Sequence, residues 1–263
     1  MTSDPKQMPG FVSNANSPRQ NRVTPFGEII SIGDRGNMMG NRGCLHSDNG
    51  RILRLQQRKA WIICRIAFGD RHRTIMAPNL YTELFFWDEA TALAAGHRPC
   101  YECSREKYIA FVDAWRRGNP TDSVESSWKV AQLDNALAAD RLTAGSTKHT
   151  YVEQIDALPQ GTFIAWLVDN RRYPVLIYDN ELLLWTPGGY RSSCLKPKNI
   201  DVEVLTPKST VNAINAGYVP SIELPRMTLL PVEHFDLFDY TPSQSRYKRK
   251  EEDINEQFLR PIK

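Results

Sequence analysis

Two cysteines three residues apart, in His97-Arg98-Pro99-Cys100-Tyr101-Glu102-Cys103, carry the plainest chemistry in this sequence. At that spacing both sulfurs can reach one metal ion, because the turn between them aims its amide N–H groups at the thiolates. Redox dithiols use the same spacing, but they open a helix in a thioredoxin-like βαβ unit. Here the pair follows one predicted helix and precedes another, with no βαβ pattern around it. Zn2+ is therefore the expected cofactor, with Cys100 and Cys103 as ligands. Cys64, in Trp61-Ile62-Ile63-Cys64, lies on a predicted strand and reads equally well as a small core residue. Cys44 and His46 sit in a turn-rich stretch from Met39 to Gly50 and are the nearest supply of further ligands. Cys194 follows Ser192-Ser193 and is given no role. Five cysteines with one close pair argue against a disulfide framework.

The stretch Leu84-Phe85-Phe86-Trp87-Asp88-Glu89-Ala90-Thr91-Ala92-Leu93-Ala94-Ala95-Gly96-His97-Arg98-Pro99-Cys100-Tyr101-Glu102-Cys103 resembles the zinc-binding N-terminal domain of the Ada family. Those domains carry an apolar strand, a short helix of the EALAAG type and then an aromatic-Arg-Pro-Cys-x-x-Cys motif. The resemblance spans residues 60–103, and its final stretch is the specific part. It implies zinc held by four cysteines, one of which, ending an upstream strand, accepts a methyl group from a DNA phosphotriester. Cys64 stands at that acceptor's position, which makes it a third ligand and a candidate catalytic nucleophile. The family's next cysteine follows four residues later, where this chain has Phe68, so the fourth ligand is sought at Cys44 or His46. His97 takes the family's aromatic position. The helix-turn-helix region and the Pro-Cys-His-Arg motif of Ada-type regulators are not in this sequence.

Charge adds a second expectation. Lys and Arg number 33 against 30 Asp and Glu, a net +3, but the excess is uneven. Between Arg19 and Arg73 eleven basic residues face four acidic ones, a local +7. An arginine-rich segment suits a polyanion, since each neutralised phosphate releases counterions. Arg42, Arg51, Arg54, Arg58, Arg71 and Arg73 are the expected DNA contacts, flanking the strand that carries Cys64. A solvated basic face explains the same counts.

These residues need elements to position them. Residues 1–23 read as a disordered arm rich in Ser, Asn and Pro, and 24–118 as the zinc-binding domain. Strands are predicted at Phe26–Ile32 and Ala60–Phe68, the latter with Ile62, Cys64, Ile66 and Phe68 on one face and a Gly69-Asp70 hairpin returning through Met76. Helices are predicted from an Asp88 cap to Ala95, closed by Gly96, from Ser104 to Arg117, and from Trp128 to Leu142. Gly118–Ser127 reads as the boundary. Residues 128–240 read as a second unit on a three-stranded antiparallel meander at 162–168, 173–178 and 182–185, then a strand at 202–205 and a helix from Ser209 closed by Gly217. Residues 241–263 read as a charged tail. The fold class is α+β.

No apolar run approaches the ~18 residues that cross a bilayer, so the expectation is a cytoplasmic protein with no membrane partner. Asp134, Asp140, Glu153 and Asp156 show no metal or acid/base spacing. Three readings follow. One is a zinc protein that binds DNA, in alkylation-damage response or regulation. The others are a zinc-stabilised protein-interaction module and a hydrolase or transferase with its site in the C-terminal half.

Overall fold

The computed structural model describes residues 18–70, 74–120, 128–144, 146–224 and 230–231. It is an α+β fold with two sheets. The first has the order β2-β1-β5-β3-β4-β6, from β1 Gln20–Val23, β2 Ile29–Ser31, β3 Met38–Asn41, β4 Ile62–Arg65, β5 Leu84–Phe86 and β6 Arg98–Pro99. β1 pairs β5, and β4 pairs β6, in parallel; the other pairs are antiparallel. The second has the order β13-β11-β10-β9-β8-β12-β7. Its strands are β7 Tyr151–Gln154, β8 Phe163–Val168, β9 Arg171–Tyr178, β10 Glu181–Thr186, β11 Gly189–Leu195, β12 Asp201–Val204 and β13 Leu230–Pro231. The meander expected from alternating apolar runs is β8-β9-β10, extended by β11.

Helices α1 Glu89–Ala94, α2 Arg105–Gly118, α3 Val130–Arg141 and α4 Lys208–Asn215 fall where caps and stops place them. Asp88 accepts the Thr91 N–H at 2.8 Å, and Gly96 leaves α1 at φ +90°, a conformation that favours glycine.

Three expectations are corrected. Gln20–Val23, assigned to a disordered arm, forms β1 in the first sheet. The Gly40-Asn41 segment, read as a turn, belongs to β3. It can lie against β4 because Gly40 has no side chain: a Cβ there would sit 2.2 Å from the Ile62 carbonyl oxygen. β4 is shorter than predicted and pairs β3 and β6, and Thr74–Met76 form no return strand. Residues 1–17, 121–127 and 232–263 lie outside the described residues, and with them most of the arm, the boundary and the tail.

The two sheets share their packing. The core behind the first sheet joins Ile63, Leu84, Phe86, Leu93, Phe111 and Trp115 to Ala213, Ile214 and Tyr218 from the far end of the chain. Ala90 and Ala94 on the other side of α1 pack with Phe163, Leu176 and Leu183 of the second sheet. Buried Asp88 accepts the Tyr190 hydroxyl at 2.8 Å, and Glu89 accepts the Ser221 N–H at 2.8 Å. Helix α1 is thus a shared pillar.

Candidate metal centre

The first sheet has two unlike faces. Period-2 alternation along β4 sends Ile63 into the helical core, 1% exposed, and turns Ile62 and Cys64 the other way. Met39 and Asn41 of β3 and Phe85 of β5 share that second face, because Met39 registers with both Cys64 and Phe85. These side chains line a cavity of about 400 Å³, closed further by Ile66, Phe68 and Ile75. Of the strand face predicted for Ile62, Cys64, Ile66 and Phe68, only Ile62 and Cys64 lie on β4; all four border the cavity and not the core.

Cys64 meets Cys100 through backbone pairing. Arg98 N–H donates to the Trp61 carbonyl at 3.0 Å and Cys100 N–H to the Ile63 carbonyl at 2.9 Å, so β6 runs parallel to β4 and delivers Cys100 beside Cys64. Pro99 has no N–H to offer, and β6 is the sheet edge, where that is tolerated. The chain then turns, with Ser104 N–H donating to the Cys100 carbonyl at 3.1 Å, and Cys103 comes round to the same point before α2. The sulfurs of Cys64, Cys100 and Cys103 lie within 4.8 Å of one another, close enough to bind one metal ion. Cys100 and Cys103 are buried and Cys64 half-buried. Tetrahedral zinc with Zn–S bonds of 2.3 Å holds its sulfurs about 3.8 Å apart, so small rotamer shifts close the set.

The surroundings favour a thiolate at Cys100. Cys100 accepts a hydrogen bond from Cys64 and from the amides of Cys103 and Glu102, which draws its thiol down to about 5 against the cost of burial. The proton held between the pair pushes Cys64 up. Arg65 N–H donates to Cys103 Sγ at 3.4 Å. The Glu102 and Cys103 amides on Cys100 are the pattern that the Cys-x-x-Cys spacing predicts, whereas the Arg65 amide comes from β4. Among the described residues no fourth His, Cys, Asp or Glu joins the cluster.

Cys44 and His46 are placed elsewhere. Cys44 Sγ donates to the His46 carbonyl at 3.8 Å, and its N–H to Gln57 Oε1 at 2.7 Å. His46 pairs Nδ1 with Thr82 Oγ1 at 2.6 Å and Nε2 with the Ala77 carbonyl at 3.2 Å, fastening its loop to residues 77–82. His97, at 0% exposure, packs its ring 5.0 Å from Trp61 and 4.7 Å from Phe86, as a core aromatic side chain does, and stands apart from the sulfur cluster.

The arginines divide. Arg42, expected to touch phosphate, is 1% exposed: its guanidinium stacks 3.9 Å from the Trp61 ring, donates Nε to His97 Nε2 at 3.3 Å and Nη1 to the Gly27 carbonyl at 3.1 Å. Arg141 stacks on the same indole at 4.0 Å and donates to the Gly96 and Lys59 carbonyls. Burial pulls these guanidiniums down to about 9 and about 10, and burial with Arg42 beside it holds His97 well below the usual imidazole range. Sequence reasoning missed this cluster because an arginine run reads as a solvated surface. Arg51, Arg54 and Arg58 are exposed, and Arg71 and Arg73 lie outside the described residues. Arg65 lines the metal cavity. Beside it, a second depression shares Ile66, Ile75 and Phe85 with the first and carries Arg19, Arg22 and Arg35.

The C-terminal carboxylates are engaged in structure. Asp134 holds Arg98 in a two-pronged pair at 2.7 and 2.9 Å, Asp140 accepts Ser209 N–H, Glu153 meets Lys208 and Asp156 accepts Asn199 N–H. Among the described residues no helix is long and apolar enough to cross a membrane. Comparison with protein-family models, curated proteins and solved structures finds no match for this chain.

Proposed function

We propose that this chain is a zinc protein whose centre is formed by Cys64, Cys100 and Cys103. The convergence of three sulfurs from β4 and the β6–α2 turn supports it. An all-sulfur donor set suits Zn2+ over the oxygen-seeking Mg2+ and Ca2+. Bound zinc would tie β4 to the start of α2 and keep the sulfurs as thiolates. Metal analysis of purified protein tests this, with about one zinc per chain expected and little retained by Cys100→Ser. Wild-type protein without zinc, and with no uptake on adding it, overturns the proposal.

A second element of the reading is DNA as partner, favoured by Arg65 at the cavity and by Arg19, Arg22 and Arg35 in the adjoining depression. In the Ada-like version Cys64 sulfur forms a bond to the methyl carbon of a phosphotriester, the O–CH3 bond breaks, and a phosphodiester anion leaves. Labelled duplex titrated at two salt concentrations should show sequence-independent binding, with a log–log slope of roughly −0.9 per phosphate contacted. Arg65→Ala and Arg35→Ala should each flatten it. Peptide mass spectrometry after incubation with methylated duplex reads a 14 Da gain on Cys64, about one CH2 unit. No binding at low salt removes both claims and leaves the zinc as structure.

A further inference from the structure

The metal centre faces the cavity with three sulfurs, while zinc in sulfur-rich sites is four-coordinate. Among the described residues no fourth donor joins the cluster: Phe68 lines the cavity beside the sulfurs, and Cys44 and His46 are engaged elsewhere. We infer that the fourth position takes a small thiol from the cavity, bound through its sulfur. The inference rests on the zinc reading above and names the ligand class for that site.

The chemistry of the centre selects sulfur. Three thiolates donate strongly to Zn2+ and soften it, so a hard oxygen ligand is bound weakly and a bound water is weakly acidified compared with zinc held by neutral imidazoles. A polarisable sulfur is the ligand that such a soft centre accepts. The thiol loses its proton to solvent as the zinc–sulfur bond forms. The cavity supports the rest of the molecule. At about 400 Å³ it lies in the range of small-ligand sites. Met39, Ile62, Ile75 and Phe85 give it an apolar wall for a short carbon chain, while Arg65 and Glu102 at its border supply charges of both signs. That combination fits an amino-acid-like thiol, with carboxylate and ammonium at one end and sulfur at the other.

Cobalt-loaded full-length protein, prepared with a phosphine as the reductant, provides the test. Added L-cysteine should raise the sulfur-to-cobalt charge-transfer absorption by about one third, as a fourth sulfur joins three, with cobalt staying on the protein through gel filtration. L-Serine should leave the spectrum unchanged. Ile75→Trp, at a partly exposed wall position, should keep its cobalt and raise the L-cysteine midpoint at least about tenfold by filling the cavity. The inference is overturned by a spectrum already at four-ligand sulfur intensity without thiol, by cobalt protein indifferent to L-cysteine, or by cobalt stripped from the protein. Failure of the zinc reading looks different: no cobalt binds at all, or Cys100→Ser binds it as well as wild type.

Discussion

The two sheets solve the same problem with different means. Strands of the first have two to four residues and mostly pair with partners far away in the chain, as Arg22 does with Phe85. The meander strands of the second have six to eight residues and pair with their sequence neighbours through tight turns, with Asp169, Asn170 and Asp179 at positive φ. Long strands with apolar faces hold themselves by burial. Short strands in mixed pairing gain from fastening beyond the sheet, and in the first sheet buried charge supplies it. Arg98 of β6 is clamped to Asp134 of α3 with both side chains nearly buried, and Trp61, at the entry to β4, lies under two guanidiniums. The site is built where the strands are shortest, on the face of the sheet turned away from the hydrophobic core.

Breaking the Arg98–Asp134 pair should give the largest effect. Asp134→Ala leaves a buried guanidinium without its carboxylate, which costs about 3–5 kcal/mol, and because Arg98 sits two residues before Cys100 it should also lower zinc content in the folded fraction. Leu183→Ala in the second sheet, at a fully buried position, should cost about 2–5 kcal/mol while the folded fraction keeps its zinc. Denaturant melts paired with metal analysis read both. Equal zinc loss in the two variants would erase the distinction between the sheets.

A smaller effect sharpens it through pH. His97 is held neutral in the fold and titrates near 6.5 when unfolded, so the unfolded chain binds the extra proton. Stability is then present above about pH 6.5 and falls as pH drops below it, by up to about 1.4 kcal/mol per pH unit until the folded histidine itself protonates. His97→Gln should flatten that slope between pH 6.5 and 5. An unchanged slope would assign it to other groups. Smallest of all, Glu153→Gln removes a half-buried carboxylate of the second sheet from its exposed partner Lys208 and should leave the melting temperature within error.

Legibility follows the same division. The meander, the caps at Asp88 and Gly96 and the helices could be read from the chain because their determinants are local: alternation, a capping carboxylate, a glycine at positive φ. The Cys-x-x-Cys turn was legible for the same reason. Cys64 as its neighbour was implied only by resemblance, since nothing near it in sequence points to residue 100. β3 escaped because Met38-Met39-Gly40-Asn41 has a glycine where strand preference is weakest, and only the close approach of Ile62 makes that glycine necessary. Arg42 was misread because its partners, Trp61, His97 and the Gly27 carbonyl, come from three separate segments.

Helix α1 has a consequence for how the chain is made. Its cap Asp88 and its first residue Glu89 are hydrogen-bonded by residues that leave the ribosome a hundred or more positions after it, among them Tyr190, Tyr218 and Ser221, and Trp87 beside it donates to the Glu223 carbonyl at 2.9 Å. Domains emerging early in synthesis ordinarily fold on emergence. This one cannot complete its core until Ala213, Ile214 and Tyr218 have arrived. The half that carries the sulfur cluster is translated first and finished last, and a nascent chain truncated before residue 213 should hold its cysteines on an incomplete scaffold, open to solvent and to oxidation throughout that interval.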